Sequence, residues 1–449
     1  MLGASLKLAF YHPNSDLQTP WNCLQIGLLI FPLSPFLGAV GIGFAVLIAW
    51  LRRNRTIISL PLNRGFALLS VLLIVSAGFA YGKTEAFLGL FNLYPFFLVF
   101  IGLSALIQTT TQLRQIAWIL VISSMPLLIM GFGQMFLGWA FKLQVLWIVL
   151  DWAIAPGGDP PRRMASIFMH ANTFAAYLAI VFTLALGLWL EQWRWGIGDW
   201  VLGIGKRFSK SPVPILFLTV AVIANFVALI LTNSRNGWAI AIVACLAYAL
   251  YQGWRILVGS VVGVIASVLL AAFAPSQIAQ IFRQVVPAFF WARLNDDMYP
   301  DRPVALMRKT QWEFAWSLTQ QHPWTGWGLR NFTALYKAQM HIDLGHPHNL
   351  FLMLSAETGL PITLLFFSLL GWVLFAGIQL LRKSNYIAPE DRLIFFSYLV
   401  VFGEWLLFNT VDVTLFDFRV NTLSWLFLSA ICGVVYHYQQ HEKFIADRN

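Results

Sequence analysis

Four of the eight histidines, His322, His341, His346 and His348, fall between residues 322 and 348. Imidazole is the side chain best suited to exchange protons near neutral pH, because its ordinary pKa lies there. At least one of the four is therefore a candidate for proton transfer, set beside interfacial packing and hydrogen bonding. Metal ligation is a further alternative, since His341, Asp343, His346 and His348 supply ligand types at close spacing. Pro347 stiffens the backbone between the last two histidines, and no second ligand cluster such as HExxH accompanies them, which weighs against a metal.

Two arginines bring a second kind of chemistry. Arg235 follows an apolar run ending Leu-Thr-Asn-Ser and precedes one beginning Gly-Trp-Ala-Ile. Its planar, permanently charged fork can anchor to lipid phosphate or grip a phosphate or diphosphate of a lipid-linked substrate, and the same geometry serves both. Arg308 has these two roles open, and a third in which it pairs with Glu313 or a nearby Asp. The stretch from Pro160 to Asn172 could line the same cavity through Arg162, Arg163, His170 and Asn172. Glu404, Asp412 and Asp417 fall in the bilayer region, where carboxylates usually face a cavity or a partner. Arg419 is the nearest candidate partner for Asp417.

The elements that must position these groups are membrane helices. The chain has 449 residues, 59% hydrophobic and 11% charged, with a mean hydropathy of +0.71, where a soluble domain carries about 25% charged residues. Apolar runs near 24–51, 65–82, 92–109, 115–135, 171–191, 213–231, 237–253, 256–274, 350–380, 393–410 and 420–438 have the length a helix needs to cross a hydrocarbon core. The first run, with Pro32 and Pro35 in its middle, is one kinked span or two short ones, so about 11 or 12 spans are expected. The formal charge of +10 is scattered between the runs rather than gathered in a basic domain, which argues against a nucleic-acid partner. Cys23, Cys245 and Cys432 show neither metal-type nor redox-type spacing and are read as packing residues. The N-terminus lacks the pattern of a signal peptide, so insertion is expected to rely on the internal spans.

Arg52, Arg53, Arg55 and Arg64 put the connection after the first run on the cytoplasmic side, because Lys and Arg resist translocation. Alternation then brings Arg114, the group Arg194, Lys206, Arg207 and Lys210, then Arg255, Arg382, Lys383 and Arg392, and finally Lys443 and Arg448 to that side. The outer side receives about 137–170, the turn Asn233-Ser234-Arg235-Asn236-Gly237, and a long stretch over 275–348. Within that stretch, residues 304–321 read as one helix with Arg308, Trp312 and Trp316 along a face. Pro323-Trp324-Thr325-Gly326-Trp327-Gly328 follows as a turn back to the membrane. The expected fold is thus an all-α, polytopic transmembrane helical bundle with a long, partly helical extracytoplasmic segment. It divides into N-terminal helices with an outer segment (1–170), central helices with the arginine turn (171–274), the extracytoplasmic segment (275–348), and C-terminal helices with a cytoplasmic tail (349–449).

These motifs resemble those of the O-antigen ligase and O-antigen polymerase family of multispanning bacterial glycosyltransferases. His348-Asn349, nine residues and then Gly359 is similar to the family's His-Asn/Ser/Gln signature ending Gly-x-x-Gly, with Ile362 where the second glycine is expected. Ser234-Arg235-Asn236-Gly237 resembles the family's Ser-Arg-Gly turn, and Arg308, Trp312 and Thr325-Gly326-Trp327-Gly328 its Arg-containing helix and Gly-x-Gly turn. Wording such as LFDFRVN over 415–421 looks like the cyanobacterial branch, which includes proteins once proposed as bicarbonate transporters.

The resemblance implies an enzyme of the bacterial inner (plasma) membrane, active on its extracytoplasmic side, that needs no metal and no cofactor. It would move a glycan from an undecaprenyl-diphosphate carrier to an acceptor hydroxyl, as a ligase or as a polymerase. His348 would be the catalytic base, while Arg235 and Arg308 would hold the diphosphate. Arg162, Arg163, His170, Asn172, His346 and Asn349 would be candidate substrate lining. The implied partners are a lipid-linked glycan donor, a glycan or lipid acceptor, and membrane lipids; sugar, acceptor and oligomeric state stay open. The competing class is a transporter of bicarbonate or another small anion. Transporters commonly show internal repeats with binding residues at the midplane, whereas here no clear repeat is visible and the candidates collect at the outer face.

Overall fold

The computed structural model describes residues 11–146, 149–201, 213–295, 303–383 and 387–446. Lys206, Arg207, Lys210 and Arg448, assigned above to cytoplasmic loops and tail, lie outside the described residues. The first apolar run is two helices, α1 (Gln18–Ile30) and α2 (Pro35–Ser59). Ser34 caps α2 by accepting the Leu37 N–H at 3.3 Å, and Pro35 occupies the first turn, where a missing N–H costs nothing. The chain continues through α3 (Pro61–Gly78), α4 (Lys83–Gly89), α5 (Tyr94–Leu106) and α6 (Thr110–Phe136).

A two-stranded antiparallel sheet, β1 (Phe141–Val145) and β2 (Leu150–Ile154), lies in the outer segment 137–170, a small addition to an otherwise helical fold. It rests on the turn between α1 and α2: the Trp152 indole donates to the Leu33 carbonyl at 2.7 Å, and the Ser34 hydroxyl to that of Val149 at 2.5 Å. Then come α7 (Ala171–Val201), α8 (Val213–Leu231), α9 (Arg235–Tyr251), α10 (Arg255–Phe273), α11 (Ser276–Val285), α12 (Ala288–Leu294), α13 (Arg308–Gln321) and α14 (Asn331–Met340). The expected 350–380 span breaks at Gly359 into α15 (Leu350–Thr358) and α16 (Leu360–Arg382), and α17 (Arg392–Phe408) and α18 (Phe418–Ala446) complete the chain.

Among the described residues, nine helical stretches are long and apolar enough to cross a membrane, and α1, α9 and α17 are shorter. The protein is a multi-pass helical membrane protein. One continuous core runs through it from Leu17 to Val435, as expected when every backbone polar group must be satisfied within helices.

The two ends of the bundle differ in chemistry. At one end some basic side chains are tied down: Arg52 donates to the Asp16 carbonyl, and Arg114 binds both Glu191 and Asp391 at 2.7 Å. The histidine-bearing loops gather at the other end. There the long segment builds its own small core, in which Phe314, Ala315 and Leu318 of α13 meet Phe332 and Tyr336 of α14 and Ala356 of α15. It docks on the bundle through Tyr81, whose N–H donates to the Trp327 carbonyl at 2.9 Å, and through Ser76, whose hydroxyl donates to that of Thr325 at 2.7 Å.

Candidate active site

His348 sits in a turn that the chain can hold only with help. Its φ of +53° is in the left-handed region, which costs a non-glycine residue on the order of 1–3 kcal/mol and persists where surroundings impose it. Those surroundings are the residues on either side and a second turn, 409–417, between α17 and α18. Asn349 caps α15 by accepting the Leu352 N–H at 2.9 Å, while its amide donates to the Thr410 carbonyl at 2.9 Å. The Leu350 N–H donates to the Asn409 carbonyl at 2.8 Å. Both ends of the Asn349 side chain are thereby engaged with backbone, as the conformation of the histidine turn requires.

The same pairing of turns brings Asp412 to His348, with Oδ1 3.0 Å from Nδ1. Burial works against ionising Asp412, but the hydrogen bond and charge of His348 outweigh it and hold the carboxyl below its ordinary value. An ionised carboxylate only accepts, so Nδ1 carries the shared proton, and whenever the ring is neutral the lone pair is on Nε2. The His348 side chain is 29% exposed and that of Asp412 11%, so the ring is reachable while its anchor is shielded. Asp412 and Asp417 both lie in the turn between α17 and α18.

His346 completes the cluster. Its ring accepts the His348 N–H at 3.2 Å and stacks on Phe416, with centroids 5.9 Å apart. Burial, then the neighbouring His348, pushes its pKa down to about 4, so it is neutral at physiological pH. His346, His348 and Asp412 are also a group that could hold a metal ion. The set His341, Asp343, His346 and His348 is not brought together in that way. His341 ends α14 in a left-handed conformation, and Asp343 pairs with Lys337 at 2.8 Å. His322 packs edge-on against Trp327 at 4.3 Å.

The expected helix over 304–321 begins at Arg308, after a short 3-10 turn, and its Arg308 and Trp312 reach the 409–417 turn and the histidine loop. Arg308 donates to the Val411 carbonyl, next to Asp412, and the Trp312 indole donates to the Pro347 carbonyl at 3.0 Å. Glu313 pairs with Lys309 at 3.8 Å. Trp316 is exposed.

A second basic group lies at the same end of the bundle. Arg235 opens α9 and is exposed, while Ser234 caps the helix. Arg163 donates to the Thr232 carbonyl at 2.8 Å and to Asn172, and the Met164 N–H donates to the Leu231 carbonyl at 2.9 Å, so 160–172 is fastened to the arginine turn. Arg162 and His170 are exposed beside it. Arg419 lies 4.6 Å from the Phe168 ring and donates to the Pro32 carbonyl at 3.2 Å. Its side-chain contacts run toward this second group, while its charge and its backbone N–H act on Asp417, the partner expected from the sequence. Asp417 also accepts the Val420 N–H at 2.8 Å.

The glycines of the sequence motifs meet each other. Gly326 (φ +66°) and Gly359 (φ +82°) are in conformations that a side chain would strain. A Cβ on Gly326 would stand 2.3 Å from the Glu357 carbonyl carbon, and one on Gly359 2.5 Å from the Trp324 oxygen. This closeness lets the Trp327 and Gly328 N–H groups donate to Ala356 and Glu357 carbonyls at 2.9 and 2.7 Å, seating the outer segment on α15. Ile362, at the place of the expected second glycine, is buried in the bundle core.

Asp412, which the structure places against His348, is named in the sequence only as a carboxylate near the last spans and not among the site residues. The available signal was its position: with Glu404 and Asp417 it is one of few acidic groups near the last apolar runs.

Comparison with known proteins bears on residues 218–367, which match a family model described as O-antigen ligase. The matched stretch contains Arg235, Arg308 and His348 and ends before Asp412. A solved structure described as the structural coordination of polymerization and crosslinking by a peptidoglycan synthase complex contains a similar chain. The two share 17% identity and a TM-score of 0.42, over 85% of this chain and 97% of that one. No curated protein matches.

Proposed function

We propose that this multi-pass membrane protein, whose residues 218–367 match a family model described as O-antigen ligase, transfers a glycan from an undecaprenyl-diphosphate donor to an acceptor hydroxyl. The setting is the extracytoplasmic face of the bacterial inner membrane. The observation that carries the proposal is the His348–Asp412 bond of 3.0 Å, with Arg308 held against the adjoining Val411 carbonyl.

In this mechanism Asp412 fixes the ring so that Nε2 faces the acceptor. As the acceptor oxygen attacks the anomeric carbon, its proton passes to Nε2, and Asp412 stabilises the imidazolium that forms. The bond from the anomeric carbon to the diphosphate breaks, and its electron pair leaves with the diphosphate. Arg308 and Arg235 offset that developing charge, an interaction stronger in the transition state than before it. No step calls for a metal ion. Arg162, Arg163, His170, Asn172, His346 and Asn349 are proposed as lining, with Arg163 and Asn349 acting chiefly by holding loops in place. Membrane lipids surround the donor's polyprenyl tail.

The test is transfer by purified protein supplied with lipid-diphosphate glycan. His348→Ala abolishes transfer while the protein elutes and melts as the wild type does. Retained transfer would remove the base assignment. Bicarbonate uptake into proteoliposomes with no consumption of donor would replace the enzyme with a transporter.

A further inference from the structure

His346, His348 and Asp412 are placed for more than proton transfer. One nitrogen from each ring and one Asp412 oxygen all lie within 4.8 Å of one another. Two imidazoles and a carboxylate form a recurrent zinc donor set, and donors bonded at about 2.0–2.2 Å around a tetrahedral ion stand roughly 3.3 Å apart. The edge from His348 to Asp412 is already 3.0 Å. Closing the other edges takes rotation of side chains, because the backbone is fixed by the Trp312 bond to Pro347 and the Asn349 bond to Thr410. The His346 and His348 ring planes differ by 77°, with centroids 4.5 Å apart, so in-plane lone pairs can approach one point from two directions.

We propose that this triad binds a transition-metal dication of the zinc type, and that its occupancy switches transfer off. The inhibitory part rests on His348 being the proton acceptor. An ion on Nε2 takes the lone pair that would receive the acceptor's proton. An ion on Nδ1 displaces the bond to Asp412 and leaves the ring proton on Nε2, which also removes the base. Arg308 stands close enough for its charge to act on His346, so it opposes a second cation. With three protein donors and that repulsion, binding is reversible and a chelator removes the ion.

The experiment uses the full chain in detergent, stripped with EDTA and titrated with Co²⁺, whose visible absorption reports nitrogen and oxygen coordination. One Co²⁺ binds per chain, Zn²⁺ displaces it, and His346→Ala and Asp412→Ala each weaken binding at least about tenfold. His341→Ala, outside the triad, binds Co²⁺ as the wild type does. Zn²⁺ added over the same range stops glycan transfer, and EDTA restores it. Equal Co²⁺ affinity in the wild type and both triad variants would overturn the site. Zn²⁺ bound with transfer unaffected, or transfer that EDTA abolishes and zinc restores, would overturn the inhibitory assignment. Transfer measured in EDTA tests the base mechanism separately, so a failure to bind metal leaves that mechanism standing.

Discussion

Replacing Asp412 by Ala and by Asn separates the orientation of His348 from the charge behind it. The wild-type bond joins an imidazole to an ionised, largely buried carboxylate at 3.0 Å. Hydrogen bonds to charged groups contribute about 1.5–3 kcal/mol, and each 1.36 kcal/mol is about tenfold in rate. Asp412→Ala therefore lowers kcat by roughly 10- to 150-fold. The Asn variant turns on a detail of the geometry. The oxygen facing His348 is also the one that accepts the Val413 N–H, at 2.9 Å. In Asp412→Asn that N–H keeps the amide oxygen toward the ring and its NH₂ away, so Nδ1 stays the donor and the tautomer is preserved. Only the charge is lost, the difference between a charged and a neutral bond, and kcat falls by about 5- to 15-fold. The assay is steady-state transfer of labelled glycan from lipid-diphosphate donor, with kcat and KM resolved separately; the change is expected in kcat. An Asn variant as inactive as His348→Ala, or an Ala variant at wild-type kcat, would refute the positioning role.

Stability should fall with rising pH because of Glu357, which lies in α15 at the histidine end, outside the spanning segments. Burial pushes its pKa up to about 7 from an ordinary 4.5, against the hydrogen bonds from backbone N–H groups such as that of Phe332. Between those values the folded state holds the proton that the unfolded state has released, so roughly 3 kcal/mol of stability is lost as pH rises through the window. Glu357→Gln flattens this dependence and melts above the wild type at pH 8; unchanged pH dependence of melting would discard the assignment. Arg235→Lys and Arg308→Lys keep charge but lose the two-pronged geometry, so each lowers kcat/KM by about tenfold or more. Full activity of either lysine variant would remove that arginine from the diphosphate site.

The spans were legible because hydrophobicity over a helix length is a local property that the bilayer reads directly. Residues 24–51 are compatible in sequence with one helix or two; the Ser34 cap immediately before Pro35 makes them two, because that pairing starts a helix rather than bending one. The hairpin over 141–154 was not anticipated, although Lys142 and Gln144 alternate with Leu143 and Val145 in a strand-like way, since two short strands form only when something receives them. Here the α1–α2 turn does, through Trp152 and Ser34. His348 and Arg308 could be picked out from residue type and motif spacing, and the shared face of Arg308 and Trp312 from their separation of one helical turn, but not the Pro347 carbonyl that Trp312 meets. Asp412 could not be assigned to His348 by any local pattern, because what joins them is the bonding of the Asn349 turn to the 409–412 turn. Asn349 and Asn409 thus look like polar site residues in sequence yet are spent on backbone: Asn409 accepts the Thr414 N–H at 3.0 Å and donates to the Trp405 carbonyl at 2.8 Å. Two asparagines shape two turns, and the turns present a histidine and an aspartate to each other. The chemistry of this end depends on those caps as much as on the imidazole, a dependence that residue type alone would have credited to substrate binding.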